Sequence, residues 1–189
     1  MARPAGRGRR GAAVNPSWCG RCGAALLPEG DHFICEAGHR TFLNSKPAAG
    51  ALVLRDGQLL LVRRAIEPWK GWWDIPGGFL KDGEHPCAGA LREVEEETGY
   101  ICEAVELLGI YMDTYEYGGD SVFILNIYYL VRIIGGEPRL DAESDALRWF
   151  PLNALPEVAF VHARQVLRDF VEQQAPGARP RKDLQGQQR

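Results

Sequence analysis

The chain has 189 residues, 46% of them hydrophobic, and a formal net charge of −3. That length supports one core of about 130 residues with appendages, and the near balance of charge argues against a nucleic-acid partner held by bulk electrostatics. No apolar run reaches the length of a membrane span, and the basic N-terminus lacks the apolar segment of a signal peptide, so the sequence reads as a soluble, cytoplasmic protein with no membrane partner.

Residues 1–16 carry Arg3, Arg7, Arg9 and Arg10 among Gly, Ala and Pro, with nothing that can build a core. A disordered, solvated tail is the expectation, favoured over a nucleic-acid arm. Residues 17–45 contain Cys19-x2-Cys22-x12-Cys35-x3-His39. Two tight turns at that spacing each present two ligands to one tetrahedral centre, which is how Zn²⁺ is held by three cysteines and a histidine. A short segment with few large apolar residues also needs such a staple to fold. A disulfide and free buried thiols are the alternatives, and an intracellular chain disfavours the first. His32 competes with His39 for the fourth place but has no turn-like partner spacing. A four-ligand site has no open position, so its role is structural. Cys87 and Cys102 fall outside the pattern and read as small core residues.

Asn44 to Pro47 is the connector into a larger domain over 46–172. Ala51 to Arg55 and Gln58 to Arg63, joined by Asp56-Gly57, form a hairpin. A strand-like Trp72 to Ile75 ends in Pro76-Gly77-Gly78, and Asp82-Gly83 is a second turn. Pro86 suits a first helical position and Gly99 the residue past the end, which predicts a helix from Pro86 to Thr98. On it Cys87, Ala90, Leu91, Val94 and Thr98 share one side, while Glu93, Glu96 and Glu97 cluster on another. Like charges at i, i+3 and i+4 repel. The face is either solvated or occupied by a cation: Arg92 offsets part of the repulsion, and a hard divalent ion would offset more. The preceding loop brings backbone groups beside these carboxylates.

Beyond the helix, Ile101 to Tyr111 and Ser121 to Ile134 are β-rich, interrupted by the Tyr- and Gly-rich stretch Asp113 to Asp120. Leu147 to Phe150 reads as a short strand, and Phe160 to Val171 as an amphipathic helix. Residues 173–189 read as a second disordered tail. Strands, an acidic helix, more strands and a last helix fit an α/β fold with a mixed sheet.

Gly78, Glu84, Arg92, Glu93, Val94, Glu96, Glu97 and Gly99 match the Nudix box, G-x5-E-x7-R-E-U-x-E-E-x-G-U with U aliphatic, and on these residues the chain resembles the Nudix hydrolases. Tyr100 departs from the aliphatic preference at the last position. The cysteine segment resembles the N-terminal zinc ribbons carried by a subset of that family, where two Cys pairs are usual; here His39 stands at or one residue past the place of the fourth Cys.

The resemblance implies an α/β/α sandwich preceded by a small zinc ribbon, and hydrolysis of a diphosphate bond in a nucleoside diphosphate-linked small molecule. It implies that Glu93, Glu96 and Glu97, helped by the backbone carbonyl of Gly77, hold Mg²⁺ or Mn²⁺. Arg92 resembles the family arginine that orients the glutamates. The general base is a box glutamate or a carboxylate from a later loop, where Glu143 is placed ahead of Asp145.

Substrate choice lies outside the box. Arg63 and Arg64 are candidates to reach a phosphate, and Tyr115, with Trp72, Trp73, Tyr117 and Phe160, to stack on a base, against the alternatives of solvent exposure and core packing. Trp73, in W-D-x-P-G-G, reads as structural. Ribbon-bearing relatives act on ADP-ribose, FAD and NADH; the Ser-, Gln- and Pro-rich signature of the NADH-cleaving group is absent, which favours ADP-ribose or another ADP-linked compound such as FAD. An oxidised nucleoside triphosphate is the alternative substrate. A binding module, with the ribbon recruiting a partner and the larger domain sensing a ligand, is the alternative of a different class, but sensors in the family often lose the glutamates that are all present here. The sequence leaves a homodimer open, since family members often pair.

Overall fold

The computed structural model describes residues 16–117 and 120–174. The expected disordered tails fall almost wholly outside these residues. Among the described residues two compact units are present: one comprises residues 16–46 with 114–117 and 120–123, the other residues 47–113 and 124–174.

The first unit contains a three-stranded antiparallel meander, β1 (Leu27–Glu29), β2 (His32–Ile34) and β3 (Arg40–Phe42). Its apolar centre is small: Cys19, Leu26 and Cys35 are buried, with Ala24 and Phe33 packed against them. So little burial, at about 1.5–3 kcal/mol per large side chain, does not hold a fold of this size.

The remaining elements are β4 (Lys46–Arg55), β5 (Gln58–Arg64), β6 (Trp73–Asp74), β7 (Gly77–Phe79), α1 (Pro86–Thr98), β8 (Tyr100–Tyr117), β9 (Asp120–Gly136), β10 (Ser144–Pro151) and α2 (Val161–Gln174), and apart from Lys46 and residues 114–117 and 120–123 they belong to the second unit. The sheet order is β10-β5-β4-β9-β8, with β6 paired to β5 and β7 to β4. β4 and β5 alternate sides, as strands must. Leu52, Leu59 and Leu61 pack with Val166, Leu167 and Phe170 of α2, whereas Ala51, Val53 and Leu60 pack with Ala90 and Val94 of α1. One helix therefore covers each face, the α/β sandwich that the element order implied.

The predicted helix bounds coincide with α1. His85 caps it by accepting the Cys87 N–H at Nδ1 (3.2 Å), Pro86 begins it, and Gly99 ends it at φ 75°, donating its N–H to the Glu95 carbonyl. The predicted interruption at Asp113 to Asp120 is narrower among the described residues: β8 runs through Tyr117 and β9 begins at Asp120, because tyrosines favour the extended chain, while Gly118 and Gly119 lie outside the described residues. The last strand and last helix are also longer than their sequence signals, at Ser144–Pro151 and Val161–Gln174. Trp73 packs edge-on against Phe150 at 4.8 Å between ring centroids, while Trp72 meets Trp69 instead, the division that strand alternation requires. Cys102 is buried and Cys87 half-buried. Among the described residues, no helix is long and apolar enough to cross a membrane.

Candidate active site

Arg92 is the hub of the acidic helix. Its Nε and Nη2 donate to the two carboxylate oxygens of Glu84 at 2.7 and 2.8 Å, and Nη1 donates to Glu93 at 2.6 Å and Glu96 at 2.7 Å. Glu84 also accepts the Lys81 N–H at 2.9 Å. The Arg92 guanidinium, then the Lys81 amide, holds the Glu84 carboxyl down to about 2. Arg92 holds Glu96 below its usual range as well, although Glu96 is exposed and shares Lys81 at 3.5 Å. The bidentate pair fixes the guanidinium, and the fixed guanidinium sets where Glu93 and Glu96 point.

Glu93 and Glu97 behave oppositely. Burial pushes the Glu93 carboxyl up despite Arg92. Glu97 is raised well above the usual carboxylate range, first by burial, then by the charges of Glu93, Asp74 and Asp141, with only the Gly77 N–H pulling it down. Among the described residues no ion pair reaches Glu97. Half-buried carboxylates facing one another without enough positive charge are the donor set a hard cation requires, so these residues fit a divalent ion with oxygen ligands. The strand pair places Gly77 beside them: Ala49 and Gly50 of β4 pair with Gly78 and Gly77 of β7.

The other candidates are distributed around this centre in different ways. Arg63 donates to Asp145 at 2.6 Å, so these two charges answer each other across β5 and β10. Arg64 donates to the Pro68 carbonyl at 2.9 Å, lies 3.6 Å from Asp74 and has its guanidinium 5.1 Å from the Phe160 ring centre. Neither arginine is a free surface charge. Glu143 is exposed on the turn before β10, and its N–H donates to Asp141 at 3.1 Å. Tyr115 lies near the end of β8, in the unit that holds Cys19, Cys22 and Cys35.

Two acidic groups escaped the sequence reading. Asp74 is buried, pushed up to about 7 by that burial, with Arg64 and the Ile75 N–H opposing. Asp141 begins the turn whose third residue is Glu143, and its charge acts on Glu97. The only sequence signal for Asp74 was its place in the W-D-x-P-G-G run, and for Asp141 its two-residue offset from Glu143.

In the smaller unit, the ligand atoms of Cys19, Cys22, Cys35 and His39 all lie within 4.8 Å of one another. The Cys22 and Cys35 Sγ atoms are 3.7 Å apart, and Cys19 Sγ lies 3.5 Å from His39 Nδ1. A tetrahedral Zn²⁺ with ordinary bond lengths needs about 3.8 Å between two sulfurs and about 3.6 Å between sulfur and nitrogen. All five cysteines are free thiols. Hydrogen bonds Gly23 N–H to Cys19 O and Gly38 N–H to Cys35 O close the two turns. The backbone amides of Arg21 and Cys22 lower the Cys19 thiol to about 6, towards the thiolate that metals bind. His32 is held elsewhere, by Asp31 and Glu29 at 3.0 and 3.1 Å and against Phe42.

Comparison with known proteins agrees with this geometry. The family model "NUDIX domain" matches residues 44–170. The "ADP-ribose pyrophosphatase" of Methanocaldococcus jannaschii is 32% identical over 133 residues, covering 70% of this chain and 77% of that protein. A "MutT-like protein" of Streptomyces ambofaciens is 37% identical over 126 residues, covering 66% and 76%. The crystal structure of a Nudix hydrolase from Nitrosomonas europaea superposes with a TM-score of 0.70 at 26% identity, covering 84% of this chain and 92% of the other. The acidic helix, its arginine hub and the α/β sandwich that carries them are those of a pyrophosphohydrolase, and the chain belongs to the Nudix hydrolase family.

Proposed function

We propose that the protein is a divalent-metal-dependent pyrophosphohydrolase that cleaves the diphosphate bond of an ADP-linked compound such as ADP-ribose or FAD. The observation that carries this reading is the half-buried Glu93–Glu97 pair, whose carboxylates repel one another beside the Gly77 backbone. Glu93, Glu96, Glu97 and the Gly77 carbonyl hold the ion, Mg²⁺ or Mn²⁺, which supplies charge neutralisation on the phosphate oxygens and acidifies the attacking water. Arg92 does not touch substrate in this scheme. Its four short hydrogen bonds orient Glu93 and Glu96 and anchor them to Glu84.

Glu143 remains the proposed general base, and Asp141 on the same turn is its rival because its charge is felt at Glu97. Glu143→Gln and Asp141→Asn, compared in their pH–rate profiles, separate the two. Arg63 and Arg64 act in this scheme through Asp145 and Asp74 rather than as unpaired phosphate ligands. Cys19, Cys22, Cys35 and His39 hold a structural Zn²⁺.

ADP-linked substrates are preferred because the archaeal relative is an ADP-ribose pyrophosphatase. The test is a Mg²⁺-dependent screen of ADP-ribose, FAD, NADH, diadenosine polyphosphates and nucleoside triphosphates, with Glu96→Gln and Glu97→Gln as controls. Turnover of ADP-ribose or FAD lost in both variants supports the proposal; turnover of an oxidised nucleoside triphosphate alone overturns the substrate class, and no turnover of any compound overturns the activity.

A further inference from the structure

Tyr128 of β9 sits on the opposite side of the β4–β7 strand pair from the acidic helix. Gly50 of β4 pairs with Gly77 of β7, and Ala51 N–H donates to Pro76 O at 3.0 Å. The three glycines here serve close approach rather than unusual backbone angles. A Cβ at Gly50 would lie 2.7 Å from Tyr128 Cε1 and 3.0 Å from Pro76 O. A Cβ at Gly77 would lie 2.6 Å from Gly50 Cα and 2.7 Å from Ala49 O, and one at Gly78 would lie 2.7 Å from the Glu93 carboxylate carbon. The two backbones are therefore layered, without room for a methyl group at any of these three positions, between the Tyr128 ring and Glu93.

The ring itself is fixed from behind. Tyr128 is 4% exposed, its hydroxyl shares a 2.7 Å hydrogen bond with His162 Nδ1, and it packs edge-on against Tyr111 with ring centroids 6.0 Å apart. The His162 N–H is in turn held by Asp113 Oδ2 at 3.2 Å, at the start of α2. Tyr128 is thus clamped to β8 and α2 on one side and touches Gly50 on the other.

From this layering we infer that Tyr128 is a positioning residue for the metal centre, acting through Gly50 on the Gly77–Gly78 backbone, which lies against Glu93. This rests on the metal site proposed above. The ring sets how closely the Gly77 segment approaches the acidic helix; it touches neither substrate nor ion. Such supporting contacts are worth about 10–100-fold in metal affinity where they have been removed from other sites.

The test uses the full chain. In Tyr128→Leu the ring is lost, and in Gly50→Ala the added methyl forces the ring and strand pair apart, so the second variant serves if the first does not fold. Two measurements are made on each. The first is hydrogen exchange at the Gly77 amide without divalent ion, which is independent of any activity; the expected result is at least about tenfold faster exchange with the Leu60 and Leu61 amides unchanged. The second is Mn²⁺ affinity by electron paramagnetic resonance, expected to weaken by at least about tenfold. Tyr128→Phe, which keeps the ring, restores both to within about twofold, and Phe170→Leu, a substitution elsewhere in the same core, leaves both within about twofold. Unchanged Gly77 exchange in either disruptive variant overturns the inference, as does an equal effect of Phe170→Leu. If the wild-type protein binds no Mn²⁺, the metal reading falls; faster Gly77 exchange then still supports the packing role of the ring, and the positioning of a metal centre is overturned.

Discussion

Glu97→Gln separates what the acidic face does for stability from what it does for function. The wild-type carboxylate is half-buried, faces the charges of Glu93, Asp74 and Asp141, and has the Gly77 N–H as its compensating partner. Glutamine keeps an acceptor for that N–H and removes the charge. Relief of a strained functional carboxylate of this kind is worth about 1–2 kcal/mol, which in a chain of this length raises the melting temperature by about 2–8 °C. The assay is thermal unfolding, followed by circular dichroism, of both proteins in buffer freed of divalent ions over a chelating resin, then with Mg²⁺ added. The variant melts higher without the ion. Mg²⁺ raises the wild-type melting temperature and leaves the variant nearly where it was, because an ion that binds only the folded state stabilises by mass action. A variant that melts lower than wild type in ion-free buffer would show that the Glu97 carboxylate is satisfied by the protein alone and needs no cation.

Other consequences are checked in the same way. Metal analysis of purified protein yields about one zinc per chain, falling in Cys22→Ser; zinc content that does not change removes the tetrahedral assignment. His162 gives a pH signature: burial lowers its folded-state value to about 4 from an ordinary 6.5. The unfolded chain therefore binds the proton first, so stability is full above about 6.5 and falls as pH drops through 4, by about 3 kcal/mol in total. Because Asp74, pushed up to about 7, contributes with the opposite sign over the same window, the loss is read as the difference between wild type and His162→Gln in urea titrations from pH 7 to 4; a difference that does not change with pH assigns the loss elsewhere. Thr98 donates its hydroxyl to Val94 O at 2.6 Å and accepts the Tyr100 N–H at 3.3 Å, so Thr98→Val leaves that buried N–H without its acceptor and costs about 1–2 kcal/mol in urea unfolding. A loss below about 0.5 kcal/mol would mean the N–H finds another partner.

The features legible in the sequence were those whose cause is local. Pro86 and Gly99 bracket α1 because one residue prearranges the first turn and the other takes the left-handed angle at its end. The 3.6-residue repeat put Ala90 and Val94 in the core and left the glutamates on another face. What the sequence hid depends on contacts far apart along the chain. Arg63 pairs with Asp145, 82 residues away, and Arg64 with Asp74 across a strand pair, so neither arginine's partner follows from spacing. Spacing favoured His39 over His32, and the contacts that separate them are long-range: His32 is held by Asp31 and Glu29 on its own hairpin, while His39 closes on Cys19 across 20 residues. The weight of Asp141 and the layering of Gly50, Gly77 and Tyr128 arise only once four strands and two helices are assembled.

Metal-dependent cleavage of a diphosphate bond is read out by hydrolysis of ADP-ribose in ¹⁸O-labelled water with Mg²⁺, followed by mass spectrometry. The expected products are AMP and ribose 5-phosphate, with one ¹⁸O on the phosphate of one product, and no reaction without a divalent ion. Release of adenine or adenosine, no label on either phosphate, or equal turnover in metal-free buffer would overturn it.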